Sequence, residues 1–405
     1  MVKFLYREFG RTGQKTMHYV IIGTSAAGMG VISKLSLLAP DAKITCISDE
    51  AAMPYNKCFL DDWLLQKIGI DRVYTRPQKF FTKHNIDLRL SSRVIKLEPE
   101  DKRITFFDGS TLNYDRLFIG TGTSPRDLKL VEAQDSLPLF YFHGLKHAAD
   151  LINFINTNKA RKTVVIGAGL SGLECADGLL SRGLEVSIVE SNSQLLPSQV
   201  DWQGSQLILK YLQQRGGCLY ADDRVTQLMN KSVILSSGAT LEADLVVNAA
   251  GAQVNTKFAR KAGLDMDGDY LCVDDNQQTS NPSIFAGGDC VKVRDIITGL
   301  RVPSSTWPDA MLQGVTAAHN MAGLPKRYPG ALVLTSSAFF GVQFVTCGNV
   351  NNVPDGYNVR VTTGDDWYHK LIFDERNILR SFLLVGNTNG ANRLKRAIQT
   401  GEPVG

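Results

Sequence analysis

One pattern occurs twice in this chain: a strand, a glycine turn, a helix and a second strand. The first copy runs His18–Ile22, Gly23-Thr-Ser-Ala-Ala-Gly28, an apolar helical stretch to Leu38, then Lys43–Ser48. The second runs Thr163–Ile166, Gly167-Ala-Gly169-Leu-Ser-Gly172, a helix to Leu180, then Glu185–Glu190. Each reads as a βαβ unit of the nucleotide-binding kind. The copies lie too far apart for a short solenoid repeat. Each is followed by a hairpin signal, Asp108-Gly109 in the first half and Ser237-Gly238 in the second. Each hairpin leads into a buried-strand pattern, Asp115–Ile119 ending at Gly120-Thr121-Gly122, and Asp244–Ala249 ending at Ala250-Gly251. Beyond residue 330 the pattern changes to alternation over Ala338–Thr346, Tyr357–Thr363 and Lys370–Phe373, with a helix near Ala391–Thr400. The expected fold class is α/β: two Rossmann-like three-layer domains plus a small C-terminal α+β domain.

The second glycine turn carries the fuller chemistry. Gly167 permits the tight turn, Gly169 lets a pyrophosphate approach the backbone, and Gly172 lets helix and strand pack closely. The helix start offers free N–H groups and a positive dipole end to phosphates. Glu190 closes the next strand, where an acid binds both ribose hydroxyls and repels a 2′-phosphate. NADH is therefore expected over NADPH. In the first turn Ser25 replaces the middle glycine, Gly28 stands third, and Asp49 and Glu50 are the candidate ribose ligands. A chance glycine turn in an ordinary α/β domain is the bland alternative for either copy.

Composition narrows the partners. The 405 residues carry 44 Lys+Arg against 40 Asp+Glu, a net charge of +4, which makes no electrostatic case for nucleic acid. No run of eighteen apolar residues exists, so no transmembrane helix is expected. The seven cysteines form no CxxC pair, so a disulfide framework and a metal site are not expected, and dispersed thiols fit a reducing cytoplasm. Residues 1–16 carry Lys3, Arg7, Arg11 and Lys15 against Glu8 and lack an apolar core. They are expected to be a tail, or to follow an early start ahead of Met17.

A third segment makes the pattern specific. Thr279-Ser-Asn-Pro-Ser-Ile-Phe-Ala-Gly-Gly288-Asp289 is a short apolar strand that ends in glycines and a carboxylate. It resembles the second FAD fingerprint of the two-dinucleotide-binding flavoproteins, the pyridine nucleotide–disulfide oxidoreductase superfamily. Ile119-Gly120-Thr121-Gly122 is similar to the family's Ala-Thr-Gly strand end. Ala249-Ala-Gly251-Ala-Gln-Val254-Asn255 is similar to its Ala-x-Gly-x-x-Pro-Asn, with valine for proline. Trp307-Pro-x-Ala310-x-x-Gln313-Gly314 resembles the flavin-covering helix of NADH:rubredoxin reductases and of the flavin half of assimilatory nitrite reductases.

The resemblance implies a split FAD domain (17–140 and 265–325), an NAD domain (141–264) and a C-terminal domain (326–405). It implies that Asp289 binds the ribityl chain of FAD and that Glu174 lies near nicotinamide and flavin. Gly23, Ser25, Ala26, Gly28, Asp49, Glu50, Lys57, Thr121, Gly122, Arg126, Gly288, Asp289 and Trp307 are counted with Gly167, Gly169, Gly172, Glu190 and Gly251 as cofactor-binding residues. Lys57, Cys58 and Glu174 are the catalytic candidates, and no metal is expected.

Pro54-Tyr55-Asn56-Lys57-Cys58 leaves the acceptor open. By resemblance Lys57 lies against the flavin and stabilises negative charge on it. Cys58 is either a redox cysteine, as in coenzyme A-disulfide reductases and NADH oxidases, or an inert thiol. A neighbouring Lys57 is expected to lower its pKa. The leading expectation is an FAD-dependent NADH oxidoreductase that passes electrons to a small redox protein such as rubredoxin. A small disulfide or persulfide acceptor through Cys58, or oxygen, is the alternative, and a flavin-binding redox sensor is another. The chain is expected to be free of membrane and nucleic acid, and a homodimer is left open.

Overall fold

The computed structural model describes residues 16–402. The expected tail lies outside the described residues up to position 15. Apolar β-branched runs set the two central sheets. In the first, parallel strands stand in the order Ile284–Ala286, Arg116–Ile119, His18–Ile22, Lys43–Ile47, Ile86–Arg89. In the second the order is Leu139–Tyr141, Leu245–Asn248, Lys162–Ile166, Glu185–Val189, Cys218–Tyr220, again all parallel. Strands buried on both faces read as continuous apolar runs, which is why Tyr19–Ile22 and Thr163–Ile166 carry hardly an exposed side chain. The first domain adds a three-stranded antiparallel sheet, Val94–Glu98 to Thr111–Asn113, and the second a four-stranded one in which Val225–Leu228 to Thr240–Glu242 run antiparallel and Val131–Glu132 joins Val225–Leu228 in parallel.

Two helices cover one face of the first sheet in very close contact. A Cβ added at Gly314, in the Trp307–Met321 helix, would fall 2.0 Å from the carbonyl oxygen of Ala27; one at Gly30, in the Ala26–Leu38 helix, would fall 2.5 Å from that of Met311. Only glycine lets these backbones meet.

The chain crosses between the domains on one ribbon. Thr123–Pro125 pairs antiparallel with Ala252–Val254. Asn255 fastens it, accepting from Ser124 Oγ (2.9 Å), donating to Thr121 O (3.1 Å) and offering its carbonyl to Thr121 Oγ1 (2.8 Å). The crossing comes earlier than residue 140, because Val131–Glu132 and Leu139–Tyr141 already pair within the second domain. The return also precedes 265, since Ala259 and Leu264 are buried in the first domain's core. Tyr328 and Ala331 belong to that same core, so the third domain begins after them rather than at 326.

The C-terminal sheet is antiparallel in the order Leu334–Phe339, Val342–Cys347, Leu379–Val385, Tyr368–Phe373, Asn358–Thr363. The expected single stretch Ala338–Thr346 is two strands, broken where Phe340 (φ 56°) and Gly341 (φ 92°) turn the chain. The domain packs on the second domain. Phe339, Phe344 and Leu383 share one apolar cluster with Leu173, Ala176 and Ile208. A nearly enclosed ion pair, Lys370 Nζ–Asp201 Oδ2 at 2.9 Å, is joined by the Tyr368 hydroxyl at 2.7 Å. Among the described residues no helix is long and apolar enough to cross a membrane.

Replacing Gly314 by valine will force the two helices apart. The expected loss is about 3 kcal/mol of stability, measured as a shift in the denaturation midpoint. A change under about 0.5 kcal/mol, the range of an ordinary surface substitution, would contradict the close contact.

Candidate active site

Both glycine turns take the same shape. Gly23 (φ 99°) and Gly167 (φ 101°) start them in the left-handed region that favours glycine. A Cβ at Gly28 would meet Gly23 O at 1.8 Å, and one at Gly172 would meet Gly167 O at 2.0 Å. Nothing lies within 4 Å of a Cβ built at Gly169, so the middle of the second turn faces open space. Ser25 and Gly169 cap the two helices without any side-chain hydrogen bond. Ala26 is buried in the first turn of its helix. The first N–H groups of both helices therefore stay available to an anion.

A cleft of about 320 Å³ opens beside the first turn, at the carboxyl ends of the strands. Asp49, Thr121, Lys257 and Lys261 are among its lining. Of the two acids expected at the ribose, only Asp49 lies there. Glu50 is directed elsewhere: its Oε2 accepts from the Tyr55 hydroxyl at 2.8 Å, and that hydroxyl accepts from Leu145 N at 3.0 Å. Glu50 thus straps the first domain to the start of the Leu145–Asn158 helix in the second. Lys257 and Lys261 were not anticipated. They stand at the two ends of the short Lys257–Lys261 helix that follows the ribbon, far from the first turn in sequence, and no local motif marks them.

In the second turn the buried Glu190 accepts from Ala168 N (2.7 Å), Asn192 N (2.8 Å), Asn192 Nδ2 (2.6 Å) and Ser191 Oγ (3.2 Å). No cation pairs with it among the described residues. Gly251 (φ 84°) ends the neighbouring strand, and its carbonyl accepts from Arg126 N at 3.2 Å. The Arg126 side chain is exposed beside that glycine.

The remaining candidates meet where the domains face each other. Gly288 (φ 81°) aims the turn after Ile284–Ala286 at the first helix: a Cβ there would lie 3.1 Å from Ala27 Cβ. Asp289 follows, and burial raises its pKa while the charge of Lys57 opposes the rise. Its carboxylate has no hydrogen-bond partner among the described residues. A carboxylate without a protein partner, next to the turn that meets the first helix at Ala27, fits the hydroxyls of the polyol chain of FAD, and the uncapped helix start fits its phosphates. Trp307 begins the covering helix, followed by Pro308, and packs against the core that holds Ala26 and Ala27. Gly122 and Thr121 belong to the ribbon already described.

Glu174 sits on the Leu170–Ser181 helix that the second glycine turn opens. Burial and then the charge of Asp61 push its carboxyl up to about 8. Ser337 Oγ of the C-terminal domain donates to it at 3.4 Å, so all three domains contribute here. His143 was not anticipated either. Its Nε2 lies 2.8 Å from Thr123 O, so that nitrogen carries the proton, and burial followed by the charge of Lys57 lowers its pKa to about 4. It is a neutral donor at the domain crossing.

Cys58 is exposed and follows Lys57 in a short 3₁₀ turn whose start is capped by Asn56, the Oδ1 accepting from Cys58 N at 3.0 Å. The expectation that Lys57 lowers its pKa is wrong. Partial burial, then the charges of Glu174, Asp61 and Asp289, push the thiol up to about 11. The charges that act on the thiol are carboxylates, and Lys57 is not among them. Alkylation of Cys58 in the flavin-free protein should therefore be slow at neutral pH, with a rate inflection near 11, and Asp61→Asn should move that inflection down. An inflection below the ordinary thiol value of 9.0 would contradict this environment.

Comparison with known proteins bears on the same residues. The family model described as pyridine nucleotide-disulphide oxidoreductase matches residues 17–321. An NADH oxidase of Methanocaldococcus jannaschii is 30% identical over 77% of this chain and 71% of its own length. The epsilon subunit of the NADH-dependent phenylglyoxylate dehydrogenase of Aromatoleum evansii is 30% identical over 88% of this chain and 85% of its own. The solved structure of an NAD-dependent persulfide reductase from A. fulgidus superposes with a TM-score of 0.87 at 25% identity, covering 96% of this chain and 77% of that one. Enzymes of this family bind FAD and NAD(P)H. With two glycine cradles, an Asp289 carboxylate that has no hydrogen-bond partner among the described residues and that match across both dinucleotide domains, the chain belongs to the pyridine nucleotide-disulphide oxidoreductase family and is an FAD-dependent NAD(P)H oxidoreductase.

Proposed function

We propose that this enzyme oxidises NADH and delivers the electrons one at a time to a small acidic redox protein. FAD, when bound, supplies the chemistry that converts a two-electron donor into single-electron steps. The chain's own residues do the rest. The glycine turns hold the two pyrophosphates, Asp289 holds the polyol chain, and Lys57 places positive charge beside it. Glu174 and Ser337 mark where the nicotinamide arrives. Glu190, buried and without a cation, disfavours a 2′-phosphate and supports the preference for NADH.

One observation carries the choice of acceptor. The segment 73–75 is hydrogen-bonded to the site segment: Asn56 N to Val73 O at 2.8 Å and Thr75 N to Pro54 O at 2.9 Å. Around it stand the exposed cations Arg72, Arg76, Lys79 and Lys83, none of which forms an ion pair among the described residues. Tyr74 and Phe59 are exposed beside them. Exposed cations with two exposed aromatics, bridged by Tyr74 to the segment that leads into Lys57, suit an acidic protein and steer its approach. A raised Cys58 thiol with no second cysteine near it in sequence disfavours the disulfide reading. The likeness to a persulfide reductase keeps that reading as the alternative.

Turnover with rubredoxin as acceptor should fall steeply as salt rises. The variant Arg76→Glu/Lys79→Glu/Lys83→Glu should lose about tenfold or more in kcat/KM for rubredoxin, with reduction of a small inorganic one-electron acceptor unchanged. Cys58→Ser should leave rubredoxin turnover intact. Equal losses with both acceptors, or rubredoxin turnover abolished in Cys58→Ser, would refute the proposal. Separately, Glu190→Ala should narrow the NADH over NADPH ratio of kcat/KM by about tenfold, the scale of one charge-assisted hydrogen bond; an unchanged ratio would remove Glu190 from coenzyme choice.

A further inference from the structure

A fully buried glutamine stands behind the Gly287–Asp289 turn. Gln313, on the Trp307–Met321 helix, accepts at Oε1 from Gly288 N at 2.7 Å and donates from Nε2 to Asp309 Oδ2 at 2.9 Å. The other carboxylate oxygen of Asp309 accepts from the hydroxyl of Tyr328, itself buried. Tyr328 is anchored in turn by its backbone N–H to Asp275 O at 2.7 Å. The direction of every donor is forced. A backbone N–H can only donate, so Oε1 of Gln313 must face Gly288. Its Nε2 must then face Asp309, which as a carboxylate can only accept. The turn is tightly boxed as well. A Cβ at Gly287 would lie 3.2 Å from Gln313 Cβ and 3.2 Å from the Phe118 ring, so the turn sits close against both side chains.

We propose that the relay Tyr328–Asp309–Gln313 is a positioning device that fixes the Gly287–Asp289 turn and so sets how tightly the enzyme retains FAD. None of the three side chains needs to touch the cofactor. They act through Gly288, whose neighbour Asp289 presents the unpaired carboxylate. The proposal rests on the reading of Asp289 as a flavin-binding residue, and the variants below separate the two.

The test exchanges donor and acceptor along the relay. Flavin-stripped full-length protein is titrated with FAD, and binding is followed by quenching of flavin fluorescence. Melting of each flavin-free variant is recorded alongside. Gln313→Glu still offers an oxygen to Gly288 but sets two carboxylates against each other, and should raise the FAD Kd about tenfold or more. Asp309→Asn alone can still accept from Tyr328 and should cost less. In the double variant Asp309→Asn/Gln313→Glu, the new amide at position 309 donates to the new carboxylate at position 313 and accepts from Tyr328, so every group is satisfied again. The double variant should return to within about threefold of the parent Kd, the mark of a coupled pair rather than two independent sites. Tyr328→Phe, which removes only the hydroxyl, should weaken FAD binding while the flavin-free melting temperature stays close to the parent's. A double variant that binds FAD as poorly as Gln313→Glu alone, or a Gln313→Glu variant with parental Kd, would overturn the relay. Parental Kd in Asp289→Ala would instead overturn the reading of Asp289, whatever the relay variants do.

Discussion

Everything in this enzyme depends on backbones that touch where only glycine allows it. At Gly28 and Gly172 the opening turn of a helix lies against the carbonyl of the turn's first glycine, so near that a single methyl group would collide. That contact draws the helix start down to the sheet and leaves its N–H groups uncapped. An anion then completes the hydrogen bonding that the chain leaves undone. The same device recurs at Gly30 and Gly314, where two helices meet backbone to backbone. The second of those helices carries Gln313 to the flavin turn, so helix contact and cofactor geometry are one arrangement.

The domains are joined with similar economy. A two-stranded ribbon, fastened by Asn255, is the sole strand pairing between the two dinucleotide domains among the described residues. The Glu50–Tyr55–Leu145 strap adds a second tie from the opposite side of the site segment. His143 and Lys57 lie between these ties. The C-terminal domain closes the second domain's flank through Asp201 and Lys370 and sends Ser337 to Glu174. The site is thus assembled from parts that are distant in sequence, with Asp61, Glu174 and Ser337 brought together from the three domains.

This explains what was legible in the chain alone. Glycine turns, buried strands and the Asp289 fingerprint are local: each is fixed by residues within a few positions of one another, and each was readable. Glu50 and Asp49 looked equivalent because they are adjacent. Only Tyr55 and the start of the Leu145–Asn158 helix tell them apart. The effect of Lys57 on Cys58 was misjudged for the same reason. Lys57 and Asp61 are neighbours in sequence, while Glu174 and Asp289 act on the thiol only in three dimensions. Lys257 and Lys261 stand on a short helix after the ribbon, His143 just ahead of the Leu145–Asn158 helix, and none of them carries a motif. The break at Phe340-Gly341 was hidden because two strands of one hairpin continue the same alternation across a tight turn.

The central claim is that two dinucleotides lie with their reactive ends together at the meeting of the two cradles. Anaerobic mixing of NADH with the FAD-loaded enzyme tests it most directly, with flavin absorbance followed over time. The account predicts that one equivalent of NADH bleaches one equivalent of bound flavin in a single rapid phase. A protein that takes up no FAD, or whose bound flavin keeps its colour with excess NADH, would contradict it.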